Sequence, residues 1–443
     1  TRTSPRVARR VRRQATAIPD ARQRTHMSNS PFASIEAAIE DYRAGKMVVI
    51  VDDEDRENEG DVCVAAEHVT AEQVTFMAIE ARGLICLTLS PDRIEQLELP
   101  LQNASNKAGF ETAFTVTIEA AEGVTTGISA EDRAHTIRVA AKADAKQSDL
   151  DRPGHVFPLR AKKHGVLERT GQTEASVDMA MLAGLEPASV ICEVMNDDGT
   201  MARVPDLVEF CAKHDLKMIM IKDLVEYRRR TETHVERTSV AKLPTRHGDF
   251  EVYGYRGTVD GLEQIALVKG DVNGASDVLV RVHSSCATGD VFGSLRCDCG
   301  QQLEGALQQI EAAGQGVLVY LAQEGRGIGL VEKLRAYELQ QNGHDTVDAN
   351  TELGHSADAR EFHAAAHILR DLGVKSVKLL TNNPRKVAEL ELYGVPVTER
   401  LAHEVASSDD NRSYLRTKRD RLGHILEDAA LSGATVKEPS LAR

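Results

Sequence analysis

The chain has 443 residues, of which 42% are hydrophobic, 28% charged and 4% aromatic, with no Trp. That length accommodates two or three domains with aliphatic cores, and no apolar run approaches the roughly 18 residues that span a bilayer. Residues 1–26 hold eight Arg and one acid, a net of +7, so the overall −14 leaves −21 on the rest, an acidic body that excludes broad nucleic-acid binding.

Residues 1–30 contain Pro5 and Pro19 and lack hydrophobic periodicity, which predicts a disordered Arg-rich extension. Met27 is an alternative start within it. An organelle transit peptide is the sharper alternative, because such segments are Arg-rich and poor in acids. Seven cysteines, an odd number in a long chain, point to reduced thiols and a cytoplasmic location. Cys63, Cys86, Cys192 and Cys211 lie in apolar surroundings and read as buried structural residues.

FASIEAAIEDYRAG (32–45) has helical spacing and ends at Gly45. MVVIV (47–51) reads as a buried strand running into the acidic loop DDEDRENEGD (52–61). Functional loops commonly follow such strands. Strands are predicted over 84–89, 114–118 and 189–194, and helices at AEQVTFMAIEAR and PDLVEFCAKHD. Ser129 caps a helix after the loop GVTTGISAEDR. The charged, non-periodic stretch 231–242 reads as a linker. FEVYGY, EQIALVKG and SDVLVRVHSS then predict three strands, followed by helices at 300–313 and 330–342 and buried strands at 317–322 and 376–381. The intermingling predicts a mixed α/β and α+β chain: two layered domains, each a mixed β-sheet flanked by helices. Their expected limits are 31–230 and 243–425, with a flexible tail over 426–443.

Three cysteines cluster in RVHSSCATGDVFGSLRCDCGQQ (281–302): Cys286, Cys297 and Cys299. Three thiolates without a fourth protein ligand suggest a zinc site with one open position. On an extended segment, Cys297 and Cys299 point to the same side. A closed site completed by His283 is the alternative. QEGRGIGL (323–330) follows a predicted strand, and its glycines permit close approach to a phosphate or base. TNNPRK (381–386) offers Thr381, Lys386 and backbone donors to an anion. Asp358 is expected to open a helix over 358–370.

Together HSSCATGDVFGSLRCDCG, QEGRGIGL, KLRAYELQ, ADAREF and LLTNNPRK resemble GTP cyclohydrolase II over about residues 238–425. The resemblance implies zinc on Cys286, Cys297 and Cys299. It implies GTP contacts from Arg281, Val282, His283, Ser284, Ser285, Gln302, Glu324, Gly325, Arg326, Thr346, Thr381 and Lys386. Tyr337, Asp358 and Arg360 match catalytic positions, Asp358 as proton acceptor and Arg360 as nucleophile at the α-phosphate. A neutral Arg nucleophile is chemically demanding, and an electrostatic role for Arg360 fits better. The implied reaction opens the guanine ring at C8 with a zinc-activated water, loses formate and separately releases pyrophosphate. Mg2+ on the triphosphate is expected.

DDEDRENEGD, TTGISAEDR, RPGHVFPLRA and CEVMNDDGTMAR resemble 3,4-dihydroxy-2-butanone 4-phosphate synthase over about residues 31–230. That family converts ribulose 5-phosphate to the butanone phosphate and formate, with Mg2+ or Mn2+ polarising adjacent oxygens. The resemblance places Arg56, Glu57, Asp61, Arg169, Thr173 and Glu193 at substrate or proton-transfer positions and Glu57 on the metal. One position departs: Gln172 stands where the family motif has a metal-binding His, and a neutral amide is a weaker ligand for most transition ions than imidazole. The expectation is a cyclohydrolase whose first domain is impaired as a synthase, acting as a homodimer on small molecules without nucleic acid or membrane. Two alternatives stand beside it: an enzyme with both activities intact, and a zinc-dependent interaction protein without GTP turnover. A cyclohydrolase that stops at a formamidopyrimidine, or keeps the pyrophosphate, is a further variant.

Overall fold

The computed structural model describes residues 30–431 apart from 104, 106–108, 110–111 and 343. The expectation for residues 1–29 and most of that for the tail lie outside the described residues. Fourteen strands form two mixed seven-stranded sheets among the described residues.

The first sheet contains β1 (Val48–Val51), β2 (Gly60–Ala65), β3 (Cys86–Leu89), β4 (Ile118–Ala120), β5 (Leu150–Arg160), β6 (Ala188–Glu193) and β7 (Lys217–Met220). Their order is β4-β5-β3-β6-β2-β1-β7. β1 and β2 are buried at every residue, so they read as continuous apolar runs rather than alternating ones. The helix Gln172–Leu182 packs on this sheet and is buried from Gln172 to Ala180. The four cysteines read as structural are buried.

The second sheet contains β8 (Val235–Thr245), β9 (Gly248–Gly257), β10 (Glu263–Lys269), β11 (Val278–Ser284), β12 (Gly316–Leu321), β13 (Val377–Leu380) and β14 (Val397–Leu401). The order is β14-β13-β11-β12-β10-β9-β8, with β14 to β12 parallel and the rest antiparallel. The carboxyl ends of β11, β12 and β13 converge, and the three chemistry-bearing loops leave from there. Open parallel sheets bind ligands at such ends.

Three local expectations differ from the structure. The stretch 231–242, read as a linker, carries most of β8. Its charged side chains are exposed because β8 is an edge strand, and its backbone bonds run to β9. Residues 114–118 make only isolated bridges before β4 begins at Ile118. The 358–370 helix begins at His363, which leaves Asp358 and Arg360 on an irregular segment ahead of it.

The domains meet beside that segment. Arg229, near the end of the helix Ile221–Thr231, pairs with Glu361 at 2.7 Å. The backbone N–H of His234 donates to His367 Nδ1 at 3.2 Å, and His367 Nε2 donates to the Arg229 carbonyl at 2.8 Å. Burial and nearby Arg229 push His363 down to about 3; burial pushes His367 down to about 4. Both rings are packed in the neutral form.

Candidate active sites

Cys286 follows β11, and Cys297 and Cys299 close the loop before the helix Cys299–Ala313. Their three Sγ atoms lie within 4.8 Å of one another, the only such group of metal-ligating side chains among the described residues. Cys286 and Cys297 are 3.7 Å apart at sulfur. Tetrahedral zinc with bonds of about 2.3 Å spaces its sulfurs about 3.8 Å apart, so the donor set fits that ion. A Cβ on Gly289 would stand 2.9 Å from Cys297 Sγ, so glycine there keeps room for the cluster. Hydrogen bonds from Cys297 and Cys299, aided by Lys333, hold the Cys286 thiol well below its usual range. His283 is outside the cluster: its Nε2 faces Asp290 at 3.1 Å.

The cysteines line a cleft of about 680 Å³ together with Ser284, Ser285, Glu324, Gly325, Arg326, Tyr337, Thr346 and Arg360. Gly325 and Arg326 both have positive φ, 61° and 63°. The left-handed turn buries the Arg326 guanidinium, and neither Nη atom has a partner. A buried cation with unused donors is costly unless a ligand completes it. Tyr337 Oη lies 3.2 Å from Thr288 Oγ1. Glu324 instead serves the protein: it accepts from the Ala287 N–H and from Lys333 Nζ at 2.7 Å.

A second cavity of about 470 Å³ adjoins the first and is lined by Arg281, His283, Gln302, Arg360, Thr381 and Lys386 among others. Arg281 donates to the Leu380 carbonyl at 2.8 Å and to Gln302 Oε1 at 2.5 Å. Lys386 Nζ donates to the Val282 carbonyl at 2.7 Å. Val282 itself is wholly buried in the core, so only its backbone reaches the site. Burial and the neighbouring Arg281 and Arg360 push the Lys386 ammonium well below its usual range. Asp358 and Arg360 form a two-bond pair, Nε to Oδ1 at 2.8 Å and Nη2 to Oδ2 at 2.6 Å. Burial raises the Asp358 carboxyl, but the Arg360 bonds outweigh it and hold the pKa at about 2. Burial lowers Arg360, and the Asp358 bonds again outweigh it, so the guanidinium is held more firmly charged. Arg385 steadies both by donating to the Asp358 and Arg360 carbonyls.

The sequence reading did not single out Lys333. Its Nζ reaches Cys286 Sγ at 3.1 Å and Thr288 Oγ1 at 2.9 Å. The available signal was spacing, since Lys333 lies four residues before Tyr337 and shares its helix face. Tyr414 and Lys418 were also missed. No motif marked them, and they arrive from the helix Arg412–Leu422.

In the first domain, Asp61 on β2 stands opposite Glu193 on β6. Burial, then Glu193, Glu57 and Glu59, raise the Asp61 carboxyl well above its usual range. A carboxyl raised in this way suits Asp61 to hold a proton. Glu193 Oε2 accepts from the Leu84 N–H at 2.8 Å. Arg169 pairs with Glu174, and Thr173 is buried beside it in the first turn of the helix. Another pair missed by sequence is His155 Nδ1 with Glu119 Oε2 at 2.6 Å.

The Gln172 position is the exception. Arg56 Nη1 lies 3.0 Å from Gln172 Oε1, 3.0 Å from Glu57 Oε2 and 2.7 Å from Asp52 Oδ2. The guanidinium thus stands between the two side chains at the family's metal positions. Gln172 Nε2 is buried without a partner. Its amide oxygen accepts from Arg56 in this arrangement.

The model of the 3,4-dihydroxy-2-butanone 4-phosphate synthase family matches residues 36–227, and that of GTP cyclohydrolase II matches 236–402. Riboflavin biosynthesis protein RibBA of Salinispora tropica is 56% identical over 396 residues, covering 89% of this chain and 99% of that protein. The chain belongs to the RibBA family. RibBA of Aquifex aeolicus is 57% identical over 397 residues, covering 89% and 98%. A relative from Arabidopsis thaliana, named bifunctional riboflavin biosynthesis protein RIBA 1, chloroplastic, is 53% identical over 397 residues, covering 89% and 73%. Among solved structures, RibBX of A. baumannii, a two-domain 3,4-dihydroxy-2-butanone 4-phosphate synthase, is 42% identical with a TM-score of 0.62, covering 84% of this chain and all of that one. A RibBA chain is an enzyme of riboflavin biosynthesis with a synthase domain and a cyclohydrolase domain. No helix among the described residues is long and apolar enough to cross a membrane.

Proposed function

We propose that the second domain hydrolyses GTP to 2,5-diamino-6-(5-phosphoribosylamino)pyrimidin-4(3H)-one, releasing formate and pyrophosphate. The three-thiolate cluster carries this reading, because it opens onto a cleft lined by an unpaired buried Arg326. When bound by Cys286, Cys297 and Cys299, zinc supplies an activated water and a Lewis acid at the guanine C8. Ser284, Ser285, Arg326 and Thr346 would hold the base end. Arg281, Arg360, Thr381 and Lys386 face the triphosphate, with Mg2+ offsetting its charge. Tyr337 and Lys333 stand where a proton can be delivered to the opening ring. Arg360, held charged by Asp358, stabilises charge at the α-phosphate rather than attacking it. Incubation with GTP tests the reading: formate and pyrophosphate should appear together, whereas a zinc-loaded protein inert to GTP would favour an interaction role.

For the first domain we propose synthesis of the butanone phosphate from ribulose 5-phosphate. The bifunctional name of one relative and the intact Asp61–Glu193 pair support both activities over a lost one. The contact between Arg56 and Gln172 favours the second reading, an impaired synthase, and no step is assigned to a metal there. Formate release from ribulose 5-phosphate separates the two. A cytoplasmic homodimer acting on these small molecules is the accompanying proposal.

A further inference from the structure

The cyclohydrolase family model ends at residue 402, but the nucleotide cleft does not. The helix Arg412–Leu422 lies against it and is fastened at several points. Lys418 Nζ pairs with Asp298 Oδ1 at 2.6 Å, with the side chains only 10% and 3% exposed. Asp298 lies between Cys297 and Cys299 in the chain, and its other oxygen accepts from Gln302 Nε2 at 2.7 Å. Arg421 reaches Asp345 and Asp348 at the start of the helix Thr346–Glu352. The Ile425 N–H donates to the Asn382 carbonyl at 2.8 Å, inside the TNNPRK loop.

This docking puts one aromatic ring in a particular place. Tyr414 lines both cavities, the one that holds the cysteines and the one that holds Lys386. Only Ser284, Cys299 and Arg360 share that property. The Arg326 guanidinium lies 5.6 Å from the Tyr414 ring centroid, and Lys418 Nζ lies 4.8 Å from it. Two cations fix the ring, and its hydroxyl has no hydrogen-bond partner among the described residues. A core tyrosine would be expected to satisfy its hydroxyl. A largely buried ring that lines both the cysteine cavity and the Lys386 cavity is placed for a flat ligand spanning the two.

We propose that Tyr414 is a further substrate-contacting residue, packing against GTP where guanine meets ribose, and that the Lys418–Asp298 pair is the anchor that holds it there. The inference rests on the GTP reading of the cleft. It assigns Tyr414 the work of orienting the imidazole edge of the base toward the cysteines, while the triphosphate passes Arg360 toward Lys386. Lys418 acts through Tyr414 and is a positioning residue. Stacking on an aromatic ring suits any base, because every base has a flat π-face.

The absence of Trp from the chain supplies a direct test. Tyr414→Trp creates a sole indole reporter, and stacked guanine quenches indole emission. On mixing with GTP, emission read within the first turnover should fall by at least about half, with a midpoint near the KM for formate release. Tyr414→Ala should raise that KM about 10-fold at unchanged zinc content, equivalent to about 1.4 kcal/mol. Lys418→Met should raise it as well and weaken the quenching when combined with Tyr414→Trp. Emission that does not respond to saturating GTP overturns the proposal even if formate is released normally. Quenching in a protein whose parent releases no formate keeps the contact and removes the cyclohydrolase reading. Should Tyr414→Trp not fold, Tyr414→Ala decides, and a KM within twofold of the parent overturns the proposal.

Discussion

Arg360 grips Asp358 by two parallel hydrogen bonds of 2.8 and 2.6 Å, so neither partner is free to change its charge near neutral pH. The folded Asp358 pKa of about 2 lies below its ordinary 3.8. A depressed carboxylate stabilises the fold above pH 4, and that contribution is lost as pH falls from about 4 to about 2. We therefore expect no limb from Asp358 in the pH–rate profile of GTP hydrolysis between pH 5 and 9. Asp358→Asn should cut kcat by about 10²-fold, because Arg360 loses its fixed orientation. A profile with an acid limb that disappears in Asp358→Asn would show that Asp358 is the working base after all.

The unpaired guanidinium of Arg326 leads to a binding prediction. Arg326→Ala should raise the KM for GTP by about 10–100-fold, the range of a charge-assisted hydrogen bond at about 1.5–3 kcal/mol. Thermal stability should hold or rise, since buried Nη donors without hydrogen-bond partners are removed and outweigh the lost contact with the Tyr414 ring. Unchanged KM with lowered stability would assign Arg326 a purely structural role.

Metal removal should separate the two halves of the molecule. Cys297→Ser, or dialysis against a strong chelator, is expected to remove zinc from a stoichiometry of about one per chain and abolish formate from GTP. Formate from ribulose 5-phosphate should not change under Cys297→Ser. Metal analysis beside the two formate assays checks this, and full GTP turnover in the zinc-free variant would refute the assignment.

Gln172→His is expected to raise the synthase rate by about 10–100-fold, the usual weight of a ligand-shell change. The imidazole would replace an amide whose oxygen is engaged by Arg56 and whose nitrogen is orphaned. The assay is formate from ribulose 5-phosphate at graded Mg2+ and Mn2+. Equal rates in parent and variant would show that Gln172 costs the synthase nothing.

The neutral histidines between the domains predict acid sensitivity. His363 and His367 have folded pKa values of about 3 and about 4, below the 6.5 of the unfolded chain. Between those limits the unfolded state binds more protons, so stability is full above pH 6.5 and falls as pH drops below it. At pH 5 the loss is on the order of 2 kcal/mol for each. Melting curves at pH 7.5 and 5 should show it, and His367→Gln should reduce the difference. A Tm independent of pH over this range would contradict the reading.

Much of this molecule was legible in the amino-acid order. Local patterns are written locally: Val48–Val51 is apolar throughout because β1 is buried on both faces. The Cys297–Cys299 spacing marked the cluster, but the expected extended segment is a bend at Asp298 (φ −97°, ψ 6°) leading into a helix that starts at Cys299, so the tertiary fold, not strand alternation, gathers the thiols. Both domains and the glycine turn at Gly325 follow from residues that lie close together in the chain. The charged run that became β8 was misleading, since an edge strand keeps its side chains in water while its backbone bonds are satisfied. What tertiary structure alone decided depends on atoms brought together from far apart. Arg56 and Gln172 are 116 residues apart, and Asp298 and Lys418 are 120. No local pattern records such approaches, yet at about 3 Å they fix charge, burial and orientation. They set Arg56 against Gln172, and they bring Tyr414 to a cleft whose own motifs end earlier in the chain.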